Sequence, residues 1–238
     1  MKKIIGNYIL EKIKVIDDCN LYLTTKKDSN EKYITKEFIR KDVDNTRAMK
    51  YIKNNAIILR NLNHPNIIKL EELKKTKNSY FFLMEYVNGG DLYNILEDYK
   101  KKNGKPFSEE IVQYLMIQIV DALKYIHGQN IIHRDIKLDN ILLNFETEED
   151  KKNMNIMKSK IKISNFLYSR YMDKSDLLKS VLGMPFNMDP IILKKLNSTE
   201  DDDNLGYDQK ADIWSLGIVF YEMLIGKNPF DSENYVKK

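Results

Sequence analysis

The segment HRDIKLDN, residues 133 to 140, holds three side chains whose types and spacing suit a group-transfer reaction. Asp135 is a carboxylate that can accept a proton from an attacking hydroxyl group. Lys137 can neutralise a transferring phosphoryl group, and Asn140 can supply an oxygen ligand to a divalent cation. This order of base, cation and metal ligand predicts a site for metal-assisted phosphoryl transfer.

A second segment, KISNFLYSR at residues 162 to 170, follows at the end of a predicted strand. If it belongs to the same site it should supply a carboxylate to the metal ion, but it supplies Asn165 instead. An amide offers only a neutral carbonyl oxygen, whereas Mg²⁺ favours charged oxygen ligands. Because Asn140 is neutral as well, Mg²⁺ binding by this pair of residues is doubtful.

The first third of the chain has the β-branched and aromatic residues of an antiparallel sheet, separated by polar turn clusters. One helix interrupts the strands, because apolar residues recur there at three- and four-residue spacing until HPN ends the pattern. The predicted strands are 7–16, 20–26, 31–39, 67–75 and 79–86, and the predicted helix is 46–62.

The remainder of the chain, after NGG at residues 88 to 90, is predicted to be mainly helical. Ser108 is a good N-cap for a helix that Gly128 closes, and a helix that is apolar nearly all round is predicted over 209–225. The polar segment 144–160 is predicted to be a surface insertion between two short strands. The two predicted lobes are a β-rich one, residues 1–87, and a helical one, residues 88–238.

Composition argues against several classes of function. The net charge is +4, but Lys alternates with Asp and Glu along most of the chain, so we expect no nucleic-acid binding. No apolar run approaches the roughly 20 residues of a membrane-spanning helix and the first residues lack a signal-peptide cleavage site, so we expect no membrane association and a cytoplasmic location. Cys19 is the single cysteine, which rules out an internal disulfide bond.

With these motifs the sequence resembles the eukaryotic-type serine/threonine protein kinases, from about Tyr8 to Phe230. Further landmarks of that family are YITK at 33 to 36, HPN at 64 to 66, MEYVNGGDL at 84 to 92 and DIWSLG at 212 to 217. The resemblance implies an α+β fold of two lobes, with a small antiparallel β lobe that holds one helix and a mainly helical large lobe. It also implies ATP as cofactor and a protein as substrate or partner.

The resemblance assigns roles around a nucleotide. Lys36 would hold the α- and β-phosphates, the backbones of Glu85 and Val87 would meet the adenine edge, and Asp91 would reach the ribose. The apolar residues around the adenine ring would be Ile13, Leu21, Met84 and Leu142.

Two residues would carry a regulatory role. Ser180 falls where activating phosphorylation often occurs in the family, and Arg134 could receive that phosphate. An unmodified loop serine is nevertheless the favoured interpretation of Ser180, and the phosphorylation site is the alternative. His133 is interpreted as a structural core residue rather than as a base.

Several positions depart from the family pattern, and most concern phosphate, metal or adenine. In the family, a glycine-rich loop joins the first two strands and places its backbone N–H groups over the phosphates. Residues with a Cβ allow this close approach less easily. The helix glutamate that pairs with the strand lysine is Asn55, and the alanine that packs on adenine is Ile34. The other departures are Lys14, Ile16 and Cys19 at the glycine positions, Asn165 at the metal-binding aspartate, Met184 at a hydroxyl that bridges Asp135 and Lys137, and Ile191 at the glutamate of Ala-Pro-Glu.

The sequence ends at NPFDSENYVKK, before the last large-lobe helices of the family. We therefore expect a C-terminally incomplete lobe in which the predicted helix 209–225 is partly uncovered.

Three functional hypotheses follow. The favoured one is a pseudokinase that binds ATP weakly or without Mg²⁺ and acts as a binding or scaffold module. The first alternative is a low-activity kinase that transfers the γ-phosphate of ATP to protein hydroxyls, because Lys36, Asp135, Lys137 and Asn140 are all present. The second alternative is a decayed fragment without a function.

Overall fold

A computed structural model of the chain describes residues 2–16, 19–44, 46–172, 185–197 and 208–230. Two predicted positions, Ser180 and Met184, lie outside the described residues. The chain divides into two compact units, one of Met1–Asn63 with Ile68–Val87 and one of His64–Ile67 with Asn88–Lys238. The first is called the small unit and the second the large unit.

The small unit is built on one six-stranded antiparallel sheet, which contains the five predicted strands and one more at the start of the chain. The strands lie in the order β1-β2-β3-β4-β6-β5. Their bounds are β1 Lys2–Ile5, β2 Tyr8–Ile16, β3 Cys19–Lys26, β4 Lys32–Ile39, β5 Leu70–Lys75 and β6 Ser79–Glu85.

The sheet curls, as a hydrogen bond between two strands that are far apart in the sheet order shows. The Tyr8 hydroxyl on β2 donates to Glu72 on β5 at 2.9 Å, although three strands separate β2 from β5 in the sheet order. Burial together with this hydrogen bond raises the pKa of Tyr8 to about 12. The curled sheet encloses a core cluster of Leu10, Tyr22, Phe81 and Leu83.

Two helices follow β4 in the small unit, α1 Arg40–Val43 and α2 Arg47–Asn61. The apolar residues of α2 that recur at helical spacing are buried, among them Ile52, Ile58 and Leu59. The helix ends just before HPN, where Leu62 still donates its N–H to the carbonyl of Ile58 at 3.1 Å. The predicted helix and its end are therefore confirmed.

The large unit is mainly helical. Its helices are α3 Leu92–Asn103, α4 Glu109–Gly128, α5 Glu148–Asn153, α6 Pro190–Asn197 and α7 Lys210–Ile225. Its short strands are β7 Gly90–Asp91, β8 Ile131–Ile132, β9 Ile141–Phe145, β10 Ser159–Ile163 and β11 Arg170–Tyr171. They form one sheet in the order β10-β9-β7 and a second sheet of β11 and β8.

Helix α4 begins as predicted, because the Ser108 hydroxyl accepts the N–H of Ile111 at 3.4 Å. One face of the helix is fully buried, with Leu115, Ile119 and Ala122 at 0% exposure. In the described part of the chain, no helix combines the length and the apolar character needed to cross a bilayer.

The polar segment predicted as a surface insertion connects strands β9 and β10 and is largely exposed. It contains helix α5, which starts at Thr147 because the Thr147 hydroxyl accepts the N–H of Asp150 at 3.0 Å. A turn of 3₁₀ helix follows, in which Ile156 is only 2% exposed. The polar composition did not reveal the capped helix or the buried Ile156 inside this surface insertion.

Candidate functional site

The candidate base Asp135 lies in the large unit and is 7% exposed. Its Oδ2 accepts the side-chain amide of Asn140 at 2.7 Å and the side-chain amide of Asn165 at 3.2 Å. The Asn140 amide also lies 2.7 Å from the backbone carbonyl oxygen of Asp135. Three predicted site residues, Asp135, Asn140 and Asn165, therefore lie together in the structure.

The other oxygen of this carboxylate faces a cation. Lys137 Nζ lies 3.8 Å from Asp135 Oδ1, and the Lys137 side chain is 21% exposed. The positive charge of Lys137 offsets the negative charge of Asp135 and so reduces its repulsion of an anion brought next to it. Base and cation are therefore adjacent, as their spacing in the sequence predicts.

His133 supports the Asp135 segment from the core and is 0% exposed. Its Nδ1 accepts the backbone N–H of Asp135 at 3.2 Å, so its Nε2 is the nitrogen that donates to the Ser164 carbonyl at 3.0 Å. Burial lowers the pKa of His133, which keeps the ring neutral. Its ring also packs edge-on against Phe166 at 4.7 Å. The geometry agrees with a structural role.

Asp212, in the first turn of α7, fixes the same segment from the other side. Its buried carboxylate accepts the backbone N–H groups of His133 and Arg134, each at 2.8 Å, and lies 2.9 Å from Nε2 of His127. These two hydrogen bonds are strong because their acceptor is a carboxylate. In the sequence, DIWSLG was recognised only as a family landmark, and this role of Asp212 was not predicted, although an aspartate that opens an apolar helix is a signal.

Asn165 follows β10 and has a left-handed backbone, with φ 64° and ψ 59°. The preceding Ser164 donates its N–H and its hydroxyl to the carbonyl of Asn140, at 2.8 and 3.0 Å. These bonds join KISNFLYSR to HRDIKLDN, and the left-handed turn directs the Asn165 side chain at Asp135. The two segments do form one site.

This set of donors fits a magnesium ion poorly. The two amides beside Asp135 carry no charge, and both of them direct N–H groups at its Oδ2. Among the described residues, no three His, Cys, Asp or Glu side chains form a group that could hold a metal ion. Mg²⁺ binds best where carboxylates and other hard oxygens surround it. The residues present therefore do not fit a firmly held Mg²⁺.

In the small unit, Lys36 lies on β4 and is partly buried. It is paired in the sheet with Leu21 on β3 and with Phe82 on β6. Ile13 lies where the register between β2 and β3 shifts and is 52% exposed. Leu21 and Lys36 are therefore neighbours across the strands.

The hairpin of β2 and β3 carries side chains where the kinase pattern has glycines. The ladder continues through the pairs Lys14 with Leu21 and Ile16 with Cys19. Cys19 is 2% exposed, so its side chain is packed into the small unit. A paired backbone with side chains at these positions offers less bare N–H surface to a phosphate than glycines do.

Asn55, on the buried face of α2, is 4% exposed. Its Oδ1 has no hydrogen-bond partner within the described part of the chain. A buried carbonyl oxygen without a donor costs about 1–3 kcal/mol. The helix position that carries a glutamate in the kinase pattern therefore holds a neutral and unsatisfied group.

The remaining predicted nucleotide contacts are found in ordinary structural roles. The Glu85 N–H donates to the carbonyl of Lys69 at 3.0 Å, and Glu85 Oε1 accepts the Lys69 N–H at 2.8 Å. Asp91 caps α3 by accepting the backbone N–H of Asn94 at 2.9 Å. Three apolar candidates complete the set: Met84 and Val87 are buried, and Leu142 lies on β9 opposite Asp91.

Of the regulatory pair, the structure describes only Arg134. It has a left-handed backbone with φ 67°, and its Nε donates to the Tyr168 carbonyl at 2.5 Å. Ser180 and Met184 lie outside the described residues. Ile191, on α6, is 44% exposed.

Comparisons with known proteins agree with the fold. A sequence profile of the protein kinase domain matches residues 19–238. The chain is 36% identical over 187 residues to CBL-interacting serine/threonine-protein kinase 16 of Arabidopsis thaliana, which covers 78% of this chain and 36% of that protein. It is 31% identical over 220 residues to meiosis-specific serine/threonine-protein kinase mek1 of Schizosaccharomyces pombe, which covers 92% of this chain and 46% of that protein.

A further relative is serine/threonine-protein kinase ATG1 of Komagataella pastoris, with 29% identity over 257 residues, 98% of this chain and 31% of that protein. The chain belongs to the eukaryotic-type serine/threonine protein kinase family and has its bilobal α+β fold. It spans less than half the length of these three relatives. A protein kinase domain implies ATP as substrate, typically with Mg²⁺.

Proposed function

We propose that this kinase-like domain is a pseudokinase, a binding or scaffold module that holds ATP weakly or without Mg²⁺. The observation that carries the proposal is the pair of amides, Asn140 and Asn165, which both donate to the candidate base Asp135. In a kinase that transfers phosphate, the second position would carry a negative charge for the metal ion. Here it supplies a hydrogen-bond donor.

The small unit supports the same proposal. Side chains occupy the glycine positions of the β2 and β3 hairpin, and the unsatisfied Asn55 stands in place of a charged helix partner for Lys36. Each change weakens the stabilisation of negative charge during transfer. Together they lower the expected rate by on the order of a thousandfold or more.

The proposed nucleotide contacts are those assigned from the sequence. Lys36 would bind the phosphates, the backbones of Glu85 and Val87 the adenine edge, and Asp91 the ribose. The domain would act on or with another protein, and its cytoplasmic location stays a prediction of the sequence. We also propose that the two lobes are residues 1–87 and 88–238.

A low-activity kinase is the second candidate, and one observation favours it. Lys137 lies 3.8 Å from Asp135, so a base and a cation for the phosphoryl group stand side by side. In that case Asp135 would accept the proton of a protein hydroxyl group.

A thermal-shift experiment separates the two candidates. Wild type is heated with ADP or ATP, in EDTA and in excess Mg²⁺, and Lys36→Met serves as the control for binding through the phosphates. The pseudokinase proposal expects a small increase in Tm that is the same with and without Mg²⁺ and is absent in Lys36→Met. A large increase that requires Mg²⁺ would contradict it.

A radiometric assay with a generic protein substrate tests the chemistry directly. The proposal expects equal incorporation of phosphate for wild type and Asp135→Asn, at the background of the assay. Activity in wild type that Asp135→Asn abolishes would establish the kinase instead. Absence of any cooperative thermal transition in wild type would favour the third hypothesis, a decayed fragment.

A further inference from the structure

Strand β1 carries two adjacent lysines in very different surroundings. Lys2 pairs with Glu11 on β2 at 2.8 Å, and the two side chains are 73% and 51% exposed. Lys3 donates to Glu37 on β4, whose side chain is only 4% exposed. Since β2 and β3 separate β1 from β4 in the sheet order, Lys3 reaches across the curled sheet to a distant strand.

Glu37 is a buried carboxylate surrounded by donors. It accepts the Tyr22 hydroxyl at 2.6 Å, the Ser79 hydroxyl at 2.7 Å and the Asn20 amide at 3.3 Å. Burial alone would raise the pKa of Glu37, but the hydrogen bonds from Lys3, Tyr22 and Ser79 outweigh it and hold that pKa below its ordinary value. The carboxylate is therefore charged at neutral pH, and Lys3 supplies a positive charge for it.

Lys3 also contacts the neighbour of Glu37. Its ammonium lies 4.9 Å from the centre of the Phe81 ring, and Phe81 on β6 is the cross-strand partner of Glu37. A cation over an aromatic face is attracted by the ring. One lysine thus joins β1 to β4 and β6, while the hydroxyl of Tyr22 brings β3 to the same carboxylate.

We propose that Lys2–Ile5 is a strap that closes the small unit by placing the Lys3 ammonium on the buried Glu37 carboxylate. Without Lys3 the donors that the described residues offer to this carboxylate are the neutral groups of Asn20, Tyr22 and Ser79. A buried charge that loses its partner is strongly destabilising. The strap precedes Cys19, the first of the residues 19–238 that the kinase domain profile matches.

The strap acts on the strand that carries the candidate phosphate-binding lysine. Lys36 and Glu37 are consecutive on β4, so their side chains leave opposite faces of the sheet. Anchoring Glu37 from one face fixes the backbone from which Lys36 extends on the other. The strap itself does not depend on nucleotide binding.

Lys3→Met and Lys2→Met form a matched pair of variants, since each removes one lysine from β1. We expect Lys3→Met to lower Tm by about 5–10 °C, whereas Lys2→Met should leave Tm within about 1 °C of wild type, as for an exposed ion pair. Lys3→Arg, which keeps the charge, should recover most of the loss. Equal Tm values for Lys2→Met and Lys3→Met would overturn the strap.

A double-mutant cycle tests the pairing itself. In a Glu37→Gln background there is no buried charge left for Lys3 to neutralise, so adding Lys3→Met should lower Tm by less than about 2 °C. Equal losses in both backgrounds would show that the two side chains act independently and would overturn the proposal. If Lys3→Met alone does not fold, the double variant decides, because it should fold about as well as Glu37→Gln.

Amide hydrogen exchange then shows whether the effect is local. In Lys3→Met, peptides from β1 and β4 should exchange faster than in wild type, while peptides from α4 should be unchanged. An equal increase in α4 would mean general loss of stability and would contradict a strap that acts on the small unit.

Discussion

Asn165 donates its side-chain amide to Oδ2 of Asp135 at 3.2 Å, the same oxygen to which Asn140 donates at 2.7 Å. The candidate base is thus held by two neutral donors from two segments of the large unit. A carboxylate at position 165 would put a second negative charge where a donor now stands. The direction in which a substitution at Asn165 or at Asp212 changes the stability of the protein can therefore be predicted.

Asn165→Asp should destabilise the protein in EDTA, because two carboxylates would then face each other across a hydrogen-bond distance. The expected loss is about 1–3 kcal/mol, the equivalent of one to two pKa units. In excess Mg²⁺ the variant should recover stability, since a cation can now bridge the two carboxylates. Urea unfolding in EDTA and in Mg²⁺ measures both effects.

The control for this change is Asn30→Asp, because Asn30 also has a left-handed backbone, with φ 57°, but lies in the exposed turn before β4. It should unfold like wild type in both buffers. An Asn165→Asp variant that is as stable as wild type in EDTA and indifferent to Mg²⁺ would contradict the proposed contact.

Asp212→Asn should cost about 2–4 kcal/mol, because it removes a buried charge that accepts the N–H groups of His133 and Arg134 and contacts His127. The loss should appear as a lower urea midpoint at an unchanged m-value. Asp98→Asn, at an exposed pair with Lys101, should leave the midpoint unchanged. Similar midpoints for the two variants would show that Asp212 does not hold the Asp135 segment.

Asn55→Leu should stabilise the protein by about 1–2 kcal/mol, because it removes the buried Oδ1 that has no donor within the described residues. Thermal unfolding measures the gain. Asn54→Leu makes the same change of helix propensity one residue earlier, at a partly exposed position of α2, and separates that effect from the removal of Oδ1. Equal gains for both variants would assign the effect to helix propensity alone.

The buried Glu37 predicts a loss of stability in acid. The pKa of Glu37 is lowered in the folded protein, so the unfolded chain takes up this proton first as the pH falls. Its contribution is complete above the ordinary glutamate pKa of about 4.3 and is lost as the pH falls through the lower folded value. Tm recorded from pH 7 to pH 3 should therefore fall more steeply for wild type than for Glu37→Gln. Parallel curves would contradict the prediction.

Much of the fold follows from local patterns in the sequence. The β-branched and aromatic residues of β2 to β4, the helical spacing of α2 and the Ser108 cap of α4 all predicted elements that the structure contains. Each of these signals depends on residues within a few positions of one another. The short helix α5 was missed because polar residues dominate its segment, although Thr147 could have been recognised as a cap.

Contacts between distant residues could not be read in this way. Glu37 stands in KYITKEFI, where a glutamate suggests a solvent-facing position. Hydrogen bonds from Lys3, 34 residues earlier, and from Ser79, 42 residues later, hold it in the core instead. The hydrogen bond from the His133 N–H to Asp212 likewise joins positions 79 residues apart. In the candidate site the spacing of Asp135, Lys137 and Asn140 predicted their proximity, but it could not show that the Asn165 amide would donate to Asp135.

The left-handed turn at Asn165 has an evolutionary consequence. Asparagine and aspartate both tolerate this backbone conformation, so the chain can exchange one for the other without rebuilding the turn. The charge of the site can thus be lost or regained by a single replacement, whereas restoring glycines to the β2 and β3 hairpin needs several.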